Sequence, residues 1–258
     1  MNRVDRRSQI QPAKFTPKID RRLKENSRSR EASAEEWGDI RLAITPMDAC
    51  ILELEKQILN LGTMVEASIS RVVTALTQHD PLMAKAILHE GEEIDRVEVE
   101  IHEACLQILE TERPTGFDLR FVVATLKIND SLERIGDLAE NVADVVIEVG
   151  DWERFHGVPG VQRLAEAAQK MVKMSIQALV QRDATLAQEV IRLDDDVDTK
   201  YKKITEHLEL EFDRTPENAR PLLKLEYVTR QFERIGDVAT NISEEVFYLV
   251  KGEIIRHR

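Results

Sequence analysis

Two pentads carry the densest chemistry in the chain. Glu133-Arg134-Ile135-Gly136-Asp137 recurs one hundred residues later as Glu233-Arg234-Ile235-Gly236-Asp237. On a helix, the glutamate and the aspartate of each pentad lie four residues apart and share one face. Oxygen ligands on adjacent turns can chelate one hard cation. The glycine inside each pentad costs a helix about 1 kcal/mol relative to alanine, so a neighbouring helix or a ligand is expected to come close there. Further carboxylates precede each pentad: Glu92, Glu93, Asp95 and Glu98 in the first set, Asp194, Asp195, Asp196 and Asp198 in the second. If these segments pack antiparallel to the pentad helices, the clusters can face one another and hold metal between them. The candidate metal ligands are Asp95, Glu133, Asp137, Asp194, Asp198, Glu233 and Asp237, with Asn141, Asn241, Asp144 and Glu244 extending the stripe. The competing reading is a set of solvated pairs with Arg134 and Arg234, worth only about a few tenths of a kcal/mol.

Other chemistry is hard to find. The sequence has no P-loop, no HExxH, no GxSxG and no GxGxxG. A di-iron bundle would need Glu-x-x-His on core helices, and the spacing occurs only at Glu153 and His156, in an expected linker. His79, His89, His102, His156, His207 and His257 show no ligand spacing. No catalytic residue is assigned, and the chain is not expected to be an enzyme. A metal-dependent enzyme or metal store of bundle type stays open as the alternative.

The elements that position these residues are helices. Thr45-Pro46 pairs an N-cap residue with proline at the first helical position. Met47, Ile51, Leu54, Ile58, Leu61, Val65, Ile69, Val72 and Leu76 then recur at three- and four-residue steps, an apolar face of a long helix. Asp80 caps a second helix, marked by Ile87, Ile94, Val97, Ile101, Cys105 and Ile108. Glu112 to Gly116 breaks it, and a third runs from about Asp118 to Val149. A fourth, a fifth starting at Asp183, and a sixth from near Leu222 to Val250 repeat the pattern. The predicted fold is all-α, two tandem three-helix bundles related by internal duplication. The expected divisions are a basic, disordered tail at 1–44, a first bundle at 45–150, a linker at 151–160 and a second bundle at 161–258.

The duplication is legible residue by residue. Gln78, Asp80 and Ala84 match Gln181, Asp183 and Ala187, and Asp95 matches Asp198, all at an offset of 103. After the next loop the offset is 100: Arg120 matches Arg220, Ala139 matches Ala239, and Asn141 matches Asn241. The second copy therefore has a loop three residues shorter.

Composition agrees. Aromatic residues are scarce at 5% while charged ones reach 33%, which favours helices over a β-sandwich. The first thirty residues carry +7, leaving −19 on the rest of a chain of net charge −12. An acidic body repels nucleic acid and suits cations or basic partner surfaces. Cys50 and Cys105 form no paired framework, which fits a reducing cytoplasm. No apolar run approaches the roughly 18–20 residues of a membrane span.

The repeated ERIGD-x-A-x-N on the last helix of each copy resembles the PhoU family of phosphate-transport accessory and signalling proteins. The resemblance covers about Met47 to Gly252 and includes Leu132 to Asp137, Phe232 to Asp237, Thr111-Glu112-Arg113-Pro114 with Asp118-Leu119-Arg120-Phe121, Glu93-Ile94-Asp95 and Asp196-Val197-Asp198. It implies a cytoplasmic negative regulator of the phosphate regulon. Its implied partners are the ATPase of the phosphate ABC transporter and a membrane sensor histidine kinase, with membrane association only through them. A homodimer is kept open, and a role beside another ion or phosphate transporter would share every motif. The resemblance further implies multinuclear sites for iron, zinc, manganese or magnesium. Departures stand at Gly91, where the second copy has Asp194, at Ser131 and Gln231, and at Leu138 and Val238. The first site is therefore expected to lack one carboxylate and to bind metal less tightly than the second.

Overall fold

A computed structural model describes residues 45–149 and 160–255. The expected basic tail and nearly all of the expected linker lie outside them. Six long helices occupy the described residues: α1 (Pro46–Gln78), α2 (Pro81–Thr111), α3 (Gly116–Glu148), α4 (Val161–Gln181), α5 (Ala184–Arg214) and α6 (Ala219–Lys251). The 33-residue helices extend about 50 Å at 1.5 Å per residue.

Local chemistry sets the helix ends. Thr45 and Asp48 form a capping box at the start of α1. Asp80 accepts from the Leu82 and Met83 amides, and its counterpart Asp183 accepts from Thr185 and Leu186. The preceding residues, His79 and Arg182, both adopt left-handed backbone, at φ 55° and 50°. The duplication thus reaches the backbone of a turn whose residue types differ. The second-to-third helix turns diverge, as the changed offset predicts. Arg113 and Gly116 turn the first with positive φ, whereas Pro216–Asn218 forms a 3-10 turn in the second. After that turn α6 starts at Ala219, three residues before the expected Leu222.

Within each repeat all three helices pack on one another. The repeats then join along their length: α3 lies against α6 and α1 against α4, with α2 and α5 on the flanks. The buried residues form one continuous core across both repeats. Gly62 on α1 admits Ile176 of α4; a Cβ there would lie 3.3 Å from Ile176 Cγ2. Lys127 binds Glu245 at 2.7 Å, Arg182 binds Glu55 at 3.1 Å, and Lys224 pairs with Glu148 across the same seam. α3 and α6 bury residues around most of their circumference, as the central helices of a shared core do.

Candidate functional site

The pentads sit on the two central helices, and their apolar residues decide which way the charged ones face. Leu132, Ile135 and Leu138 on α3, and Phe232, Ile235 and Val238 on α6, are buried. This burial leaves Asp137 and Asp237 exposed and Glu133 and Glu233 half-buried along the seam with the flanking helix. Gly136 and Gly236 face that flanking helix. A Cβ at Gly136 would stand 3.3 Å from Ile94 Cγ2, and one at Gly236 3.2 Å from Val197 Cγ1. Ile94 and Val197 are themselves equivalent under the offset of 103. Of the two reasons considered for a glycine here, close helix approach is the one the structure displays. Alanine at 236 should be nearly neutral, since its helix propensity offsets a tight contact. Leucine should cost about 1–3 kcal/mol by overpacking, read as a fall in thermal midpoint.

The close approach brings carboxylates from two helices together. Asp95 of α2 and Glu133 and Asp137 of α3 have oxygens all within 4.8 Å of one another. In the second repeat, Asp194 and Asp198 of α5 join Asp237 of α6 within the same limit. Six of the seven expected ligands therefore assemble into two trios. Glu233 stands outside its trio but within the same electrostatic field. Its carboxyl is pushed up to about 7, first by burial and then by repulsion from Asp237, Asp198 and Asp194. Burial followed by repulsion also raises Glu133 and Asp137, and burial with Asp198 raises Asp237 against the pull of Arg134 and Arg234. Among the described residues, no ion pair closes on Asp95, Glu133, Asp137, Asp198, Glu233 or Asp237. The surface-pair reading with Arg134 and Arg234 does not describe these carboxylates, because both arginines stay exposed without gripping them.

Two features were not read as sites from the sequence. Glu98, His102 and Asp130 form a third trio one turn beyond Asp95 and Glu133. There Asn129 donates to the Glu98 carboxylate at 2.8 Å, and burial raises the Glu98 carboxyl. His102 lies four residues from Glu98, a spacing that could have drawn notice. In the second repeat, Tyr201, Thr205 and Arg230 hold the equivalent positions, and Arg230 hydrogen-bonds Tyr201. The other feature is Glu140, pushed up to about 7 by burial and then by Asp137, Asp95, Asp144 and Glu133. Both cysteines are free, and burial pushes the Cys105 thiol up to about 12, as suits a core residue.

The donor chemistry fits a cation. Three converging oxygens suit a hard divalent or trivalent ion, and an imidazole beside two carboxylates suits iron, zinc or manganese.

Comparison with known proteins places these helices in context. The PhoU domain model matches twice, at residues 58–146 and 161–246. The phosphate-specific transport system accessory protein PhoU homolog of Pseudomonas putida is 34% identical over 206 residues, 80% of each chain. The homolog of the same name from Aquifex aeolicus is 31% identical, over 80% of this chain and 93% of its own. The crystal structure of PhoU from Pseudomonas aeruginosa superposes with a TM-score of 0.75 at 31% identity, covering 80% of this chain and 99% of that one. The phosphate transport system regulatory protein PhoU from Streptococcus pneumoniae gives 0.75 at 25% identity, over 82% and 100%. No helix among the described residues is long and apolar enough to cross a membrane.

Proposed function

The chain belongs to the PhoU family, and from that premise we propose that it is a cytoplasmic negative regulator of phosphate uptake and phosphate-regulon signalling. It acts as an adaptor between the ATPase of the phosphate ABC transporter and a sensor histidine kinase, and meets the membrane only through them. The observation that carries this reading is the double match of the family model, over the same helices that present the carboxylate trios. The names of the relatives, accessory and regulatory, favour a role in binding rather than catalysis. The net charge of −19 beyond the first thirty residues favours basic docking surfaces on the partners.

Within this reading the trios are metal sites for iron, zinc, manganese or magnesium. Asp95, Glu133 and Asp137 hold the cation in one repeat; Asp194, Asp198 and Asp237, with Glu233 beside them, hold it in the other. A bound cation supplies the positive charge that this seam lacks. Bridged by a cation, the carboxylates would tie α2 to α3 and α5 to α6, so occupancy changes how firmly each flanking helix is held.

Deleting the gene in its host should raise a phosphate-regulon reporter and phosphate uptake in phosphate-rich medium, and the wild-type gene should restore repression. Tagged protein should co-purify with both the transporter ATPase and the kinase. If the reporter and phosphate uptake stay unchanged while uptake of another ion shifts, the chain serves a different transporter. Asp137→Ala/Asp237→Ala that loses metal yet represses normally would make the metal structural rather than regulatory.

A further inference from the structure

The first repeat, read along its sequence, has one carboxylate fewer than the second, because Gly91 stands where α5 carries Asp194. The structure brings a carboxylate over Gly91 from the other side of the seam, beside the trio of Asp95, Glu133 and Asp137. Gly91 is buried, and a Cβ built on it would lie 1.4 Å from Oε1 of Glu140 and 2.5 Å from its carboxyl carbon. The carboxylate of Glu140 occupies the volume in which a side chain at 91 would begin. In the second repeat the residue equivalent to Glu140 is Thr240, short and buried. There Asp194 fills the seam from α5, its Oδ1 3.8 Å from the Cβ position of Gly236. Glycine meets glutamate in the first repeat; the equivalent positions of the second carry aspartate and threonine. A side chain at 91 requires the carboxylate of Glu140 to move aside.

We propose that Glu140 is the first repeat's counterpart of Asp194, a cation ligand delivered from α3 instead of α2. Each seam then offers four carboxylates: Glu133, Asp137, Asp95 and Glu140 in one, Glu233, Asp237, Asp198 and Asp194 in the other. The repeats match in donor number although not in donor position, and the expected weaker binding by the first repeat does not follow. Its backbone belongs to α3, one turn after Asp137, while its carboxylate lies over Gly91 of α2, one turn before Asp95, which is where a ligand bridging the helices belongs. A residue that merely plugged the space over Gly91 would need its shape and not its charge, and glutamine keeps the shape.

This inference rests on the metal reading above, and one titration separates the two. The second seam is silenced with Asp198→Asn/Asp237→Asn, both exposed positions, and Mn²⁺ binding to the full chain is followed by paramagnetic resonance and calorimetry. Glu140→Gln should weaken the remaining binding by about tenfold or more, a loss typical of removing a group that supports a metal site. Its metal-free thermal midpoint should hold or rise. Gly91→Asp alone should lower the midpoint through the clash with Glu140. Gly91→Asp/Glu140→Thr, which writes the second repeat's arrangement into the first, should relieve the clash and recover most of the affinity. Unchanged Mn²⁺ affinity in Glu140→Gln, or no recovery in a folded double variant, overturns the role of Glu140 while leaving the metal reading intact. A parent chain that binds no Mn²⁺ overturns both.

Discussion

In the metal-free protein, raising the pH from 5 to 8 should lower the thermal midpoint, and Mn²⁺ added at pH 8 should raise it again by about 5–10 °C. The sign follows from proton counting. Glu140 and Glu233 hold their protons in the folded chain up to about 7, because burial and then neighbouring carboxylates disfavour the charged form. The unfolded chain releases the same protons near the ordinary glutamate value, about 4.3. Between those values the folded state binds more protons than the unfolded state, so stability falls as pH rises. The contribution is complete below the unfolded value and is lost as the pH passes through the folded one, near 7. Glu133, Asp137 and Asp237 are shifted in the same direction and add to the slope. A cation that binds only the folded state stabilises it by about 2.7 kcal/mol at one hundred times its Kd. For a domain of this size that is about 2–4 °C per kcal/mol. Calorimetry in chelator-treated buffer at several pH values measures both effects. A midpoint that is flat or rising between pH 5 and 8 would show that repulsion along the seams is not a net cost. Glu140→Gln/Glu233→Gln should flatten the profile.

Sequence periodicity carried the architecture a long way, for a physical reason. Caps such as Thr45, Asp80 and Asp183 act on amides two or three residues away, so local spacing suffices to read them. The four-residue spacing of Glu133 and Asp137 likewise states that they share a face. What local spacing cannot state is the register between two helices. Gly91 and Glu140 are 49 residues apart in the chain, and their meeting depends on how α2 and α3 slide past one another, which Ile94 over Gly136 sets. A comparison of the repeats made one helix at a time therefore registers a missing carboxylate at Gly91 and passes over the additional one at Glu140. The third trio is partly legible in the same way: Glu98 and His102 stand four apart on α2, while Asp130 joins them only through the packing of α3. The union of the two repeats also escaped notice. The signal for it was present in α3 and α6, where residues on more than one face are apolar, including Phe121, Val122, Ala124, Leu225 and Val228. A helix with a single apolar stripe can serve one bundle; these two serve both.

That union makes a large effect expected from a single buried ring. Phe232 is fully buried, and it is the counterpart of Leu132 under the offset of 100. It precedes Glu233 directly, with its ring in the core while Glu233 lies half-buried along the seam. Phe232→Ala removes a whole ring from packed surroundings and should cost about 3–5 kcal/mol. The thermal midpoint should then fall by about 6–20 °C. Because α6 packs on α3, α4 and α5 together, the loss should move one cooperative transition of the whole helical body. If the second repeat instead melted early and left a first-repeat transition at its original temperature, the α3–α6 seam would be too weak to couple them. The stabilisation by Mn²⁺ at a fixed multiple of Kd should survive in this variant, since every carboxylate remains and the ring contributes packing alone. Loss of the metal increment together with the packing energy would mean that the rotation of α6, and not the mere presence of Glu233 and Asp237, sets the geometry of the second seam.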